Sequence, residues 1–282
     1  MVQFRPLLHL PTSEELPCSD ETPVDNELQN LIPNLLLNIL AFLWQERQDW
    51  FFGVDMGIYY QQEAESEDYK LIIPDGFLSI GVPKRSRKNG RLSYVLWEEK
   101  VSPILVIEVV SKSYNDEYEE KLEKYQKLGI LYYLIYNPNH WRRDKHQPLE
   151  LYRLEEGEYV LQTGEPYWLP EIGLGIGRGQ SNYVAWEREW LLWYDQNGEA
   201  YPIAEEVIEK EQQRAEEAEA RVEKAEARVE EAEAIIEQEK QLREEQQRQT
   251  VRQLFSLSLN PEQIANACHL SLAEVRAILE EV

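Results

Sequence analysis

The 282-residue chain is 43% hydrophobic and 11% aromatic, with a formal net charge of −24 and a mean hydropathy of −0.58. That is enough apolar sequence for one sizeable core plus a polar extension, and the acidic balance excludes a protein that coats nucleic acid through its overall field. Cys18 and Cys268 lie far apart, no segment approaches the ~20 apolar residues of a membrane span, and Met1-Val2-Gln3-Phe4-Arg5-Pro6 lacks signal-peptide order, so a reducing, cytoplasmic setting is expected.

In chain order, Leu28, Leu31, Ile32, Leu35, Leu36, Ile39, Leu40 and Leu43 recur at helical spacing. They predict an amphipathic helix over 25–47, capped by Asp25 and bent or restarted at Pro33. Residues 50–60, 71–80 and 104–111 are rich in β-branched and aromatic side chains and read as three strands. A helix over 115–128 follows, with Gly129 as its C-terminal cap, then a strand over 131–136 stopped by Asn137-Pro138. Residues 149–154 and 158–162 flank Glu155-Glu156-Gly157 as a hairpin. The Gly173-Leu174-Gly175-Ile176-Gly177 stretch lacks a phosphate-loop lysine and a βαβ context, so it reads as a turn. Trp186, Trp190 and Trp193, at helical spacing within 184–194, close the domain.

From about Ile203 the composition shifts to Ala, Glu, Arg and Gln with no Gly or Pro until Pro261, which predicts one long helix. Residues 203–249 hold 16 Asp or Glu against 8 Lys or Arg. Ala218, Val222, Ala225, Val229, Ala232 and Ile236 alternate spacings of four and three, the seam of a coiled coil through which a homodimer would form; Glu217–Arg221 and Glu244–Arg248 pairs would equally support a lone helix. Asn260-Pro261-Glu262-Gln263 and Ser271-Leu272-Ala273-Glu274 are two capped helix starts at helix-turn-helix spacing. The second helix offers only Arg276 against Glu274, Glu280 and Glu281, so a packing module is expected rather than a DNA reader. Three segments are thus predicted: 1–202, 203–249 and 250–282.

Two acidic residues interrupt the apolar strands: Asp75 in Ile73-Pro74-Asp75-Gly76-Phe77, and Glu108 in Leu105-Val106-Ile107-Glu108-Val109-Val110-Ser111. An ionised carboxylate in a buried strand is costly unless paired or bound to a metal, so two on consecutive strands point to a shared cation. A turn-forming Asp after Pro74 and a strand-end ion pair at Glu108 are the plainer readings. Between these strands, Lys84, Arg85, Arg87, Lys88 and Arg91 put five basic residues in eight, a loop that could grip a nucleic-acid backbone without reading bases or could simply be solvated. His9, His140, His146 and His269 have no metal-ligand spacing, neither cysteine lies in a CxxC pair, and Ser111 and Ser113 have no nearby His to activate them.

Pro74-Asp75, the 105–111 strand, and a following helix with Lys121 and Tyr125 leading to Gly129-Ile130-Leu131-Tyr132-Tyr133 occur in an order that resembles the bacterial restriction-endonuclease family within the PD-(D/E)XK nuclease superfamily, over roughly residues 20–165. The resemblance implies an α/β fold with a restriction-endonuclease-like core of helix, three strands, helix and strand. A long coiled-coil helix and a small C-terminal helical hairpin would follow it. It implies a Mg²⁺-dependent endonuclease, with Mn²⁺ as a substitute, acting on nucleic acid and most naturally DNA. Asp75, Glu108 and the Val109 carbonyl would hold the metal, Glu27 would be an auxiliary acid, and Ser111 and Tyr125 would support them. The superfamily pattern would place a lysine at 110, on the same side of the strand as 108, but this chain has Val110. Members of the family take the lysine from the next helix, which points to Lys121. Helical geometry agrees: Tyr118, Leu122, Tyr125 and Leu128 define the apolar face, and at about 100° per residue Lys121 falls within it. A lysine that snorkels past Tyr125 is the plainer reading. Glu27 shares the buried stripe of Leu31 and Leu35, or is a first-turn Glu favoured by the helix dipole. The rival to an enzyme is a nuclease-like fold without activity that assembles through its helices.

Overall fold

Asn26 starts the first helix: its side-chain oxygen accepts from the N–H groups of Leu28 and Gln29 at 2.9 and 3.3 Å, satisfying two of the donors a helix start leaves open. The expected cap, Asp25, lies outside the residues described by this computed structural model, which are 10–17, 26–61, 68–84, 90–112 and 116–280. The chain divides into two compact units, Met1–Ile208 and Glu209–Val282.

In order, the elements are α1 (Glu27–Leu43), β1 (Trp50–Val54), β2 (Ile58–Gln61), β3 (Tyr69–Ile72), β4 (Gly76–Ile80), β5 (Tyr94–Val95), α2 (Leu96–Glu99), β6 (Leu105–Val109), α3 (Glu120–Lys127), β7 (Tyr132–Tyr136), α4 (Trp141–Asp144), β8 (Leu149–Glu155), β9 (Glu158–Leu161), β10 (Tyr167–Leu169), β11 (Leu174–Tyr183), β12 (Trp186–Tyr194), α5 (Ala204–Ser256), α6 (Pro261–Cys268) and α7 (Leu272–Glu280). A mixed sheet runs β1-β4-β6-β7-β8-β9, antiparallel except for the β6–β7 pair that α3 connects. This is the restriction-endonuclease-like core of helix, antiparallel strands, helix and parallel strand. Strand alternation divides its side chains between two faces. Leu105, Ile107 and Val109 pack with Leu28, Ile32, Leu35 and Leu36 of α1, while Val106 and Val110 pack with Tyr118, Tyr125 and Tyr133 on the α3 side.

The expected strand 50–60 is two strands. Asp55, at φ 47, turns the chain between β1 and β2, and β2 joins a separate small sheet, β3-β2-β5. The expected strand 71–80 breaks likewise at Ile73-Pro74-Asp75, into β3 and β4. The tryptophan-rich segment 184–194 is strand β12, not a helix, and the glycine stretch expected as a turn belongs to its partner β11. Gly175, Gly177 and Gly179 stand opposite Tyr194, Leu192 and Trp190. A Cβ at Gly177 would lie 2.9 Å from the Pro166 Cβ, and one at Gly179 would lie 2.8 Å from the Leu192 side chain, so these glycines make room for neighbouring bulk. Trp193 ties this sheet to α1 by donating its indole N–H to the Leu36 carbonyl at 3.0 Å. Trp190 and Trp193 fall on opposite faces of β12 and both are fully buried, so the spacing that suggested one helical face belongs to a strand covered on both sides.

Phe77 lies over Gly53, its cross-strand partner, and a Cβ at Gly53 would come within 2.3 Å of the ring. Phe77 is fully buried against Phe51 and Tyr94 and cannot swing away. Gly53→Val is therefore expected to destabilise the first unit by about 1–3 kcal/mol, measurable by denaturant unfolding, whereas Gly81→Ala, with open space around its Cβ but φ at +85, should cost only backbone strain.

The second unit contains most of α5, the long helix expected from the Ala/Glu-rich tail, and the hairpin α6–α7. Asn260 and Gln263 form the predicted capping box, and Val251, Ile264, Ala265 and Val275 make a small core. Among the described residues, no helix is long and apolar enough to cross a membrane.

Candidate active site

Asp75 immediately precedes β4 and Glu108 is the penultimate residue of β6. The register pairs Gly76 with Ile107, which sets 75 beside 108 at one end of the sheet. Both side chains point to the α3 face, as the parity of Phe77, Val106 and Val110 requires. Gly76 points the other way, toward α1, where a Cβ would stand 3.0 Å from the Pro33 Cβ, so the helix approaches the sheet closely just behind the acidic pair. Glu108 is 2% exposed and Asp75 9%, so both carboxylates are largely removed from water.

Glu108 is held from α3 by two donors. The Lys121 ammonium lies 2.9 Å from Oε2, and the Tyr125 hydroxyl donates to Oε1 at 2.6 Å. Residues 121 and 125 are one helical turn apart and therefore share a face. α3 is shorter than predicted, since residues 117–119 form a turn, but the face inferred from the apolar spacing is the one that meets the sheet. Lys121 thus turns inward to an anion. Burial alone would lower its pKa, but Glu108, with Glu117 and Asp75 behind it, holds the ammonium above the usual lysine value.

Asp75 has no such lysine contact. Its Oδ2 accepts the Val109 backbone N–H at 2.6 Å. Burial, then the charge of Glu108, pushes its carboxyl well above the ordinary aspartate range against the opposing pull of the Val109 N–H and Lys121. Burial also raises Glu108, with Lys121 and Tyr125 opposing. Two buried carboxylates that resist ionisation together are a site deficient in positive charge.

The backbone completes the donor set. Val110 donates its N–H to Tyr136 of β7 at 2.8 Å, so Val109, one residue earlier, turns its N–H and C=O toward β4. Continuing the β4–β6 register sets Val109 opposite Pro74, and a proline has no N–H to donate to the Val109 carbonyl. The Pro-Asp pair therefore does two things at once: Asp75 takes the Val109 N–H with its side chain, and Pro74 leaves the Val109 oxygen without a ladder donor.

The other predicted residues divide. Glu27 is exposed at the first position of α1, not in the buried stripe, because the helix begins there and its side chain extends beyond the packed turn. It lines a cleft of about 290 Å³ with Ser111, Lys112 and His140. Ser111 is buried at the end of β6. Arg91 is not free to meet a phosphate: its side chain is 3% exposed, pairs with Glu99 at 2.7 Å and lies over the Phe51 ring. Lys84 lies over the Trp50 ring at 4.8 Å, and Arg85, Arg87 and Lys88 fall outside the described residues. Two acidic residues were missed. Asp55, exposed in its left-handed turn, adds negative charge near Asp75, and Glu117 is 3% exposed and acts electrostatically on both Glu108 and Lys121. Asp55 looked like mid-strand sequence. Glu117, four residues before Lys121, could have been found by the same spacing that placed Tyr125. Among the described residues, no three His, Cys, Asp or Glu side chains converge as a metal-binding group, so any cation here would rest on Asp75, Glu108 and the Val109 carbonyl.

A family model described as "Uma2: Putative restriction endonuclease" matches residues 19–182, which contain every element of this site. The chain belongs to this family. The Uma2 match takes in α1 through nearly all of β11 and excludes β12 and the long helix. No curated protein matches the chain. A solved structure from Anabaena variabilis, described as "a putative nuclease belonging to DUF820", is similar at 14% identity, covering 57% of this chain and 88% of that one with a TM-score of 0.37.

Proposed function

We propose that this Uma2-family chain hydrolyses phosphodiester bonds in DNA as an endonuclease that uses Mg²⁺, with Mn²⁺ as a substitute, in the cytoplasm. The observation that carries this reading is the pair of buried carboxylates on adjacent strands, together with a carbonyl that Pro74 leaves without a donor. These are hard oxygen ligands with a deficit of positive charge, which fits a small divalent cation that keeps several waters. Asp75, Glu108 and the Val109 oxygen would hold the ion, which when bound would supply Lewis-acid polarisation of a phosphate and a lowered pKa for a water. Lys121 orients the attacking water or balances charge on the phosphoryl oxygens, and Tyr125 fixes the Glu108 carboxylate by its hydrogen bond. Ser111 supports the strand end. Glu27 and Glu117 are candidates for outer acidic positions.

The test is cleavage of supercoiled plasmid and of single-stranded DNA by purified protein, with Mg²⁺, Mn²⁺ or a chelator, comparing wild type with Asp75→Ala and Glu108→Ala. Cutting that needs the metal and disappears in both variants is expected. Wild type as inert as the variants on both substrates would replace the enzyme with the rival reading, an inactive nuclease fold used for assembly, which Val110 in place of the superfamily lysine favours.

Assembly itself has a specific candidate. Val222, Val229 and Ile236 are 57%, 56% and 65% exposed along α5, at the four-and-three spacing of a coiled-coil seam. We propose that a second copy covers them. Val222→Lys with Val229→Lys is expected to convert a dimer to a monomer in light scattering, and an unchanged mass would remove this seam from assembly.

A further inference from the structure

The loop predicted to grip nucleic acid keeps Arg91 for an internal ion pair. A different basic surface lies at the end of the sheet where the carboxylates are. Because β7 runs parallel to β6, both strands finish at that end, and the chain passes from Tyr136 into the segment His140-Trp141-Arg142-Arg143-Asp144-Lys145-His146. Asn137 shapes the passage, accepting from the His140 N–H at 2.8 Å and donating to Asp144 at 2.9 Å. Arg143 then fastens the segment to the end of β6: its guanidinium donates to the Lys112 carbonyl at 2.8 Å while pairing with Asp144 at 2.5 Å. Lys112 is four residues beyond Glu108 on the same strand exit.

Arg143 and Asp144 thus neutralise each other and act as a clasp. Lys112, Arg142 and Lys145 are exposed, and among the described residues no carboxylate pairs with any of them. Some exposed cations elsewhere have a carboxylate partner, as Lys124 does with Glu120 and Lys127 with Glu123, and others such as Lys100 and Arg228 have none among the described residues; what sets these three apart is that they gather at the end of the sheet where the carboxylates are. Arg142 lies 4.7 Å over the Trp141 ring, which positions the guanidinium without neutralising it. His140 and Lys112 also line the cleft that contains Ser111 and Glu27.

We propose that Lys112, Arg142 and Lys145 form the surface that holds the backbone of duplex DNA beside the carboxylate pair, through phosphate contacts that carry no base information. The inference rests on the nuclease reading of that pair for its substrate, and it explains how a chain of net charge −24 presents local positive potential where a polyanion must approach.

The experiment is fluorescence anisotropy of a labelled duplex with the full-length protein in chelator, so that binding is read without cleavage, across about 50 to 200 mM salt. The variant Lys112→Gln/Arg142→Gln/Lys145→Asn removes three cations; Asn suits position 145, where φ is +62. Lys100→Gln/Lys124→Gln/Lys127→Gln removes the same charge elsewhere. The first variant is expected to bind at least tenfold more weakly, with a salt slope shallower by about 2–3, roughly one for each phosphate no longer neutralised, and the second to bind as wild type does. The proposal is overturned if wild type does not retain the duplex, if the first variant binds like wild type, or if both variants weaken equally. Cleavage in Mg²⁺ separates the two readings. Protein that binds through this surface and never cuts sinks the nuclease and leaves the surface standing. Protein that cuts, with the first variant binding and cutting like wild type, sinks the surface alone.

Discussion

Lys121→Ala is expected to slow metal-dependent DNA cleavage by about 10²–10³-fold, or about 2.7–4 kcal/mol of barrier, the scale of removing one preorganised electrostatic partner. Lys121→Arg should recover little, since a planar guanidinium does not reproduce a compact ammonium at the 2.9 Å approach to Glu108. The decisive arm adds Val110→Lys to Lys121→Ala. Residue 110 faces the same side as Glu108, within the cluster of Tyr118, Tyr125 and Tyr133, so a lysine there approaches the pair from the strand instead of the helix. Recovery of at least tenfold in rate at unchanged KM would assign the chemistry to an ammonium at that spot, whatever element supplies it. A double variant that is stable, binds DNA and stays as slow as Lys121→Ala would mean that Lys121 serves only as the counter-ion of Glu108.

The second large effect is on stability. Asp75 has a raised pKa in the folded chain, so between the ordinary aspartate range and that raised value the native state keeps a proton that the unfolded state gives up. Its contribution is therefore fully present below about pH 4 and is lost as pH rises through the folded value. In chelator, Asp75→Asn should melt higher than wild type at pH 7.5, by a few degrees on a scale of about 2–4 °C per kcal/mol, and the advantage should shrink toward pH 5. Asn still has an oxygen for the Val109 N–H, so the comparison isolates the charge. Adding Mn²⁺ should raise the wild-type melting temperature and leave the variant nearly unmoved. A variant that melts lower than wild type at pH 7.5, or that gains equally from Mn²⁺, would contradict both the electrostatic account and the proposed ligand.

The sequence made the core legible where one period dominated. α1 announced itself through eight apolar residues at helical spacing, β6 through an apolar run broken only by Glu108, β7 through an unbroken run of aromatic and aliphatic residues, and α6 through its capping box. Asp75, Glu108, Lys121 and Tyr125 stood out as charged or polar groups at positions whose neighbours are buried, and the structure brings all four together. What the sequence hid has physical causes. Trp186, Trp190 and Trp193 carry helical spacing, yet Trp190 and Trp193 lie on opposite, equally buried faces of a strand, and the pairing of β12 with β11, which sets Gly179 opposite Trp190 and Ile176 opposite Trp193, decides it. Asp55 sits in a run of strand formers, yet its left-handed turn sends the chain into another sheet. Arg91 reads as one of five loop cations because nothing local announces Glu99 as its partner.

Val109 carries a consequence of its own. Its N–H donates to a carboxylate oxygen, 2.6 Å from the nitrogen, rather than to a peptide carbonyl, and that carboxylate is the group that protonation or cation capture would alter. The resonance of this one backbone N–H should therefore sit far downfield when Asp75 is ionised and shift upfield as its charge is shared. A single peak in a ¹H–¹⁵N spectrum would then serve as a native spectroscopic gauge of the site's charge state, with no substrate and no added label chemistry.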